Sequence, residues 1–260
     1  MDSPPDASFS IRTSRAGVRS VEIDLEGFFI VSPLLHFIED KLQIAALFFM
    51  VSVYIIRIFW LFKFRAVRER SLPEGKAGAG IGYSLLNIAL PWAMESTRKN
   101  PWFYLQFVVF HLGVTAAISA TFVIPYAPRW LEPRAVVTAF RAVMGAALAV
   151  GIWRLIRRLR SPVLRAVSTP DDYAAILLMI AYFVLGIFAV PNRPERGEGP
   201  MIAFFLLTAF FLVYVPFSKI SHYLYYAFGR FFLGRTLGRR GVFPVRRSGL
   251  GREVRGSQGR

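Results

Sequence analysis

Cysteine is absent from this chain of 260 residues, and histidine occurs only three times, as His36, His111 and His222. No disulfide, thiolate zinc site, iron–sulfur ligation or cysteine nucleophile can therefore reside on it. Charge is scarce too: 18% of the residues are charged, against about 25% in average proteins. Acidic residues number 16, half of the 32 lysines and arginines, which leaves a net charge of +16. Disorder is excluded, because low hydrophobicity is what keeps a chain unfolded, and here 55% of residues are hydrophobic and the mean hydropathy is +0.45. A nucleic-acid-binding domain could carry this charge, but not together with long uncharged apolar runs. No nucleic-acid partner is expected.

The apolar runs come first among what is present. A helix crosses a bilayer core with about 20 consecutive, mainly apolar residues. Five stretches meet or approach that: 42–62, 102–126, 135–153, 173–190 and 201–228. A weaker, glycine-bearing run extends over 77–93. Basic residues decide whether it spans, since lysine and arginine collect on cytoplasmic flanks. With five spans, one side receives seven basic residues in 63–99, five in 154–171 and nine in 229–260, and the other side receives seven. A sixth span would split the first of these clusters from the other two. The pattern predicts an all-α, integral membrane five-helix bundle with its N-terminus outside and its C-terminus cytoplasmic, in a prokaryotic-type inner membrane.

In this scheme 1–35 is an outer N-terminal segment without the apolar core of a cleavable signal peptide. Residues 36–230 form the membrane domain, with 77–93 as an interfacial or re-entrant cytoplasmic segment. Residues 231–260 form a basic, irregular tail, suited to anionic lipid or to a cytoplasmic partner subunit. Soluble-enzyme motifs, paired carboxylates within spans and the repeats of transporters are missing from the sequence.

Ionisable groups within spans are costly and point to function. His111 lies ten residues after Pro101, roughly 15 Å along a helix, and His222 lies eight residues before Arg230, roughly 12 Å. Two neutral imidazoles at matching depth on different helices could be the axial ligands of one haem iron. Separate helix–helix hydrogen bonds or a proton relay account for the same placement. His36 is 27 residues from Lys63, about 40 Å of helix, so it cannot share a metal with the other two. It fits an outer boundary cluster with Glu39, Asp40 and Lys41, or a proton-release or quinol role. Lys219, one turn before His222, and Arg57, near the end of the first span, could neutralise haem propionates. Lys219 could also bond a quinone oxygen, and snorkelling explains Arg57 equally well.

The residues Pro216-Phe217-Ser218-Lys219-Ile220-Ser221-His222 resemble the Pro-Phe-Ser-Arg/Lys-Leu-x-His ending of the last span in the gamma subunit of respiratory nitrate reductase. That family includes the cytochrome b subunits of sulfite-reductase-associated and heterodisulfide-reductase-like membrane complexes. Phe110-His111-Leu112-Gly113 is similar to its Phe-His-Ile/Leu-Gly segment. The resemblance covers roughly 35–235 and implies that His111 and His222 are metal ligands, the axial pair of the haem nearer the cytoplasm. The family's second haem would take ligands at Thr121 and Phe204, neither of which can serve. One haem b is therefore expected.

The implied function is a membrane cytochrome b subunit of a respiratory or anaerobic-type complex. It would exchange electrons between membrane quinone (menaquinone or ubiquinone) and a cytoplasmic iron–sulfur or flavin partner, as part of an oxidoreductase rather than an enzyme by itself. The rival from another class is a non-redox membrane anchor that recruits a complex through its basic face.

Overall fold

A computed structural model describes residues 32–63, 72–89 and 99–245. These residues are 87% helical and include no strand. The helices are α1 (Pro33–Lys63), α2 (Ala77–Ala89), α3 (Pro101–Tyr126), α4 (Arg134–Arg160), α5 (Pro162–Val167), α6 (Pro170–Ala189), α7 (Gly199–Tyr214) and α8 (His222–Arg239). Four of them begin with proline, at Pro33, Pro101, Pro162 and Pro170. The missing N–H of proline costs nothing in the first turn, and its fixed φ is already helical. The Oγ of Ser32 accepts the amide of Leu35 at 3.1 Å at the start of α1. A reciprocal Thr169–Asp172 capping box starts α6 and satisfies two otherwise orphaned donors.

Five of the helices are long and apolar enough to cross a bilayer: Pro33–Lys63, Pro101–Tyr126, Arg134–Arg160, Pro170–Ala189 and Gly199–Phe217. They leave much of their apolar surface uncovered; Phe48 is 75% exposed, Phe59 71% and Ile56 67%. Water would not tolerate such surface on a monomer, whereas lipid would. The core sits where α4, α6 and α7 meet. Met144, Phe183, Phe204 and Phe205 are fully buried there, and Tyr182 stacks on Phe204 with ring centres 5.1 Å apart. Small residues let the helices approach closely. A Cβ at Gly113 of α3 would lie 2.1 Å from the Cβ of Ala147 in α4.

The structure departs from the expected spans at three places. The first helix begins at Pro33 rather than 42, and carries a π-helical turn over Phe37–Lys41. The run 201–228 is not one helix: α7 ends at Tyr214, and 3-10 turns follow over Val215–Phe217 and Lys219–Ser221. Pro216 has no amide to continue the ladder, and Ser218, extended at φ −99° and ψ 170°, re-caps the chain by accepting the amide of Ile220 at 3.2 Å. The third departure is the basic tail, which is helical as far as Arg239 rather than irregular from 231.

α2 is a helix of 13 residues packed along α8. A Cβ at Gly80 would stand 2.3 Å from the Cα of Gly238, and one at Gly234 2.7 Å from the Cβ of Ser84. Backbones this close require the small-xxx-small spacing of Gly234 and Gly238 against Gly80 and Ser84. Arg230 closes the pair, its Nη2 donating to the carbonyl of Ser84 at 2.9 Å while the Ser84 hydroxyl donates to the carbonyl of Arg230 at 2.7 Å. The sequence-based expectations for 1–31, 90–93 and 246–260 lie outside the described residues.

Candidate functional site

The break after α7 creates the site. His222 is the first residue of α8, so the depth reckoned from Arg230 runs along α8 and not along the fifth span. Its imidazole nevertheless meets that of His111. The two ring centres are 6.3 Å apart and the ring planes are at 90°.

Each ring is fixed through Nδ1. That of His111 contacts the carbonyl of Phe107 at 2.8 Å, one helical turn back. That of His222 contacts the carbonyl of Lys219 at 3.2 Å. A carbonyl only accepts, so Nδ1 carries a proton in both rings, and in the neutral tautomer Nε2 is the nitrogen with the lone pair. Neither Nε2 has a hydrogen-bond partner among the described residues. Two ring nitrogens that each bind one metal at about 2.0–2.1 Å would hold the ring centres about 6.3 Å apart at most. The separation of the two rings is therefore at the limit compatible with a shared metal. Among the described residues no cluster of three or more metal-ligating side chains occurs.

The pair stands on the flank of the bundle rather than in its core. Phe110 faces inward onto Phe183, with ring centres 5.3 Å apart, and Gly113 faces Ala147. At 100° per residue, His111 lies between these two in sequence but points away from both. His111 is half-buried and His222 exposed, and Leu112, Tyr223 and Tyr226 leave apolar and aromatic surface around them.

An ion network ties the turn carrying His222 to the start of α6. Lys219 Nζ donates to Thr169 Oγ1 at 2.7 Å and lies 3.2 Å from Asp172 Oδ1. Asp172 Oδ2 also accepts the amide of Thr169 at 2.8 Å and lies 3.7 Å from Arg158 Nη1. Next to it, Asp171 accepts the Tyr214 hydroxyl at 2.6 Å. Lys219 is therefore an ion-paired, 56% exposed side chain, not a cation buried partway down a straight span. Arg57 Nη1 donates to the Tyr225 hydroxyl at 2.7 Å, and its guanidinium lies over Phe217. The hydroxyls of Tyr54 and Tyr223 share a hydrogen bond of 2.5 Å. Sequence reasoning passed over Tyr54, Asp171 and Asp172; the Thr169-x-x-Asp172 capping signature was a usable signal for the last.

His36 is remote from this site. It is 18 residues from Tyr54 on α1, about 27 Å of helix, and its Nδ1 lies 3.9 Å from Glu39 Oε1. At the same end Tyr126 donates to Asp40 at 2.7 Å, and Ser32 donates through its amide (2.8 Å) and its hydroxyl to Glu198. These donations hold the Glu198 carboxyl below its ordinary pKa. The two positions at which a second haem would be held offer nothing: Thr121 donates to the carbonyl of Ile118 at 2.7 Å, and Phe204 is fully buried.

By length and composition of its helices, this is a multi-pass helical membrane protein. The chain matches no protein-family model, and no curated protein is detectably similar to it.

Proposed function

We propose that the chain is a membrane cytochrome b subunit that holds one haem b between His111 and His222. The observation that supports this reading is the pair of imidazoles with ring centres 6.3 Å apart, each with Nδ1 on a backbone carbonyl. A site with only two protein donors suits a cofactor that brings its remaining donors with it, as a porphyrin does. When bound, haem supplies one-electron redox chemistry.

The work of the chain is ligation, orientation and electrostatics. The carbonyls of Phe107 and Lys219 fix the tautomer of each ligand and raise its basicity. With two histidines holding it, the group would supply electron transfer rather than oxygen chemistry. Lys219, three residues before His222, and Arg57, bonded to Tyr225 three residues after it, have donors beyond those already engaged and are the candidate cations for propionates. Membrane quinone is the proposed partner on one side. A cytoplasmic iron–sulfur or flavin subunit is proposed on the other, since a chain without cysteine holds no cluster of its own. Basic segments at the end of the bundle that carries the site offer the docking face, with the N-terminus outside and the C-terminus in the cytoplasm.

Purified membranes should show a dithionite-reduced b-type band, with one haem per chain by pyridine haemochrome. His222→Ala or His111→Ala should abolish it. Colourless wild-type protein, or an unchanged band in both variants, would refute the reading and leave the non-redox membrane anchor in its place.

A further inference from the structure

Apart from the histidine pair, the chain presents a groove of about 250 Å³ at the end of α4, lined by Trp153, Ile156, Arg157, Arg160 and Ser161. Four of these residues follow the i, i+3, i+4, i+7 spacing, so they form one stripe along the helix surface. The stripe is graded. Trp153 and Ile156 come first, toward the apolar body of the helix, and Arg157, Arg160 and Ser161 come last, where α4 stops and the chain turns into α5.

The charge at the mouth has no carboxylate partner among the described residues. Arg158 points elsewhere and takes Asp172, whereas no carboxylate of the described residues pairs with Arg157 or Arg160. Arg157 lies over the Phe103 ring at 5.5 Å, a contact that uses the guanidinium face and leaves its N–H edges for an acceptor. Ser161 accepts the amide of Leu164 at 3.3 Å, so its hydroxyl proton is still available to donate. Two arginines and a serine at the rim of a mainly apolar groove are residue types that hold a phosphate.

We propose that this groove binds an anionic phospholipid. The phosphate sits against Arg157, Arg160 and Ser161, and the first acyl carbons lie along Ile156 and Trp153. The end of a membrane-length helix is where a headgroup would meet it. The site is independent of the haem.

The test uses the full chain in nanodiscs of phosphatidylcholine alone or of equimolar phosphatidylcholine and phosphatidylglycerol, with native mass spectrometry to count retained lipid. Wild-type protein should retain phosphatidylglycerol in preference to phosphatidylcholine. Arg157→Gln with Arg160→Gln should weaken that retention about tenfold, and the lysine pair at the same positions should recover part of it. Trp153→Ala, which leaves both guanidinium groups in place, should weaken it as well. Arg193→Gln with Arg196→Gln, the same charge change at the opposite end, should leave it intact. Equal retention by the Arg157/Arg160 or Trp153 variants would overturn the proposal. An equal loss in the Arg193/Arg196 control would reduce it to bulk charge, and displacement of the lipid by inorganic phosphate alone would reduce it to an anion site without a lipid.

Discussion

Gly113→Ala should destabilise the protein, although alanine is the better helix former. The added Cβ would lie 2.1 Å from that of Ala147, whereas non-bonded carbons rest about 3.5–4.0 Å apart. α3 and α4 must therefore part by roughly 1.5–2 Å. Overpacking on that scale costs about 1–3 kcal/mol, partly offset by the ~0.5–1 kcal/mol that alanine gains over glycine in a helix. The net loss is about 0–2.5 kcal/mol, centred near 1 kcal/mol, or a few degrees of Tm. Gly145→Ala, in α4, is the matched control: its Cβ would meet nothing within 4 Å, so it should raise Tm slightly. Circular dichroism melts in one detergent at one protein concentration compare the two. If Gly113→Ala melts at or above wild type, or both variants move in the same direction, the close α3–α4 approach is refuted. The same displacement would carry His111, two residues away, off its place opposite His222. Metal–ligand distances tolerate only about 0.2 Å, so retention of the haem proposed above should fall further than stability does.

The Asp172–Lys219 pair is open to a double-mutant cycle with Asp172→Ala and Lys219→Ala. Asp172→Ala alone should cost about 1 kcal/mol through the lost capping box, and the coupling between the sites should be roughly 0.5 kcal/mol for so exposed a pair. Strict additivity in thermal melts would show that the ion pair contributes nothing. At the opposite end, Glu198 titrates below the ordinary glutamate value of 4.5 because Ser32 donates twice to its carboxylate. The folded pKa is the lower one, so the tether is intact above the ordinary value and is lost as pH falls through the depressed one. The Ser32 amide resonance should report a midpoint below 4.5 that disappears in Glu198→Gln; a midpoint at or above 4.5 would contradict the contact.

Much of the membrane architecture was legible because it is local. Whether a run such as 102–126 can span depends on length and apolarity, which neighbouring residues set among themselves, and α3 occupies Pro101–Tyr126. The run 201–228 misled for a related reason. Apolarity continues through Pro216 and Ser218, and proline is tolerated inside membrane helices often enough that hydropathy does not register a break. The glycines of the 231–260 tail read as irregular structure because their purpose lies in another segment: Gly234 and Gly238 admit the backbone of Gly80.

His111 and His222 show the same division. Their rarity in a chain without cysteine marked them as candidates, and an equal depth was reckoned for them along a straight fifth helix that the structure does not contain. Composition and hydrophobic run length, properties of the chain read in one dimension, determined an all-helical protein with five membrane-length helices and excluded thiolate chemistry. Only the tertiary structure decided that a helix break delivers His222 to the flank of α3, that Asp172 holds the turn before it, and that Arg157 and Arg160 share a groove. Those outcomes depend on helix rotation and on approach distances between segments remote in sequence, which periodicity within any one segment does not encode.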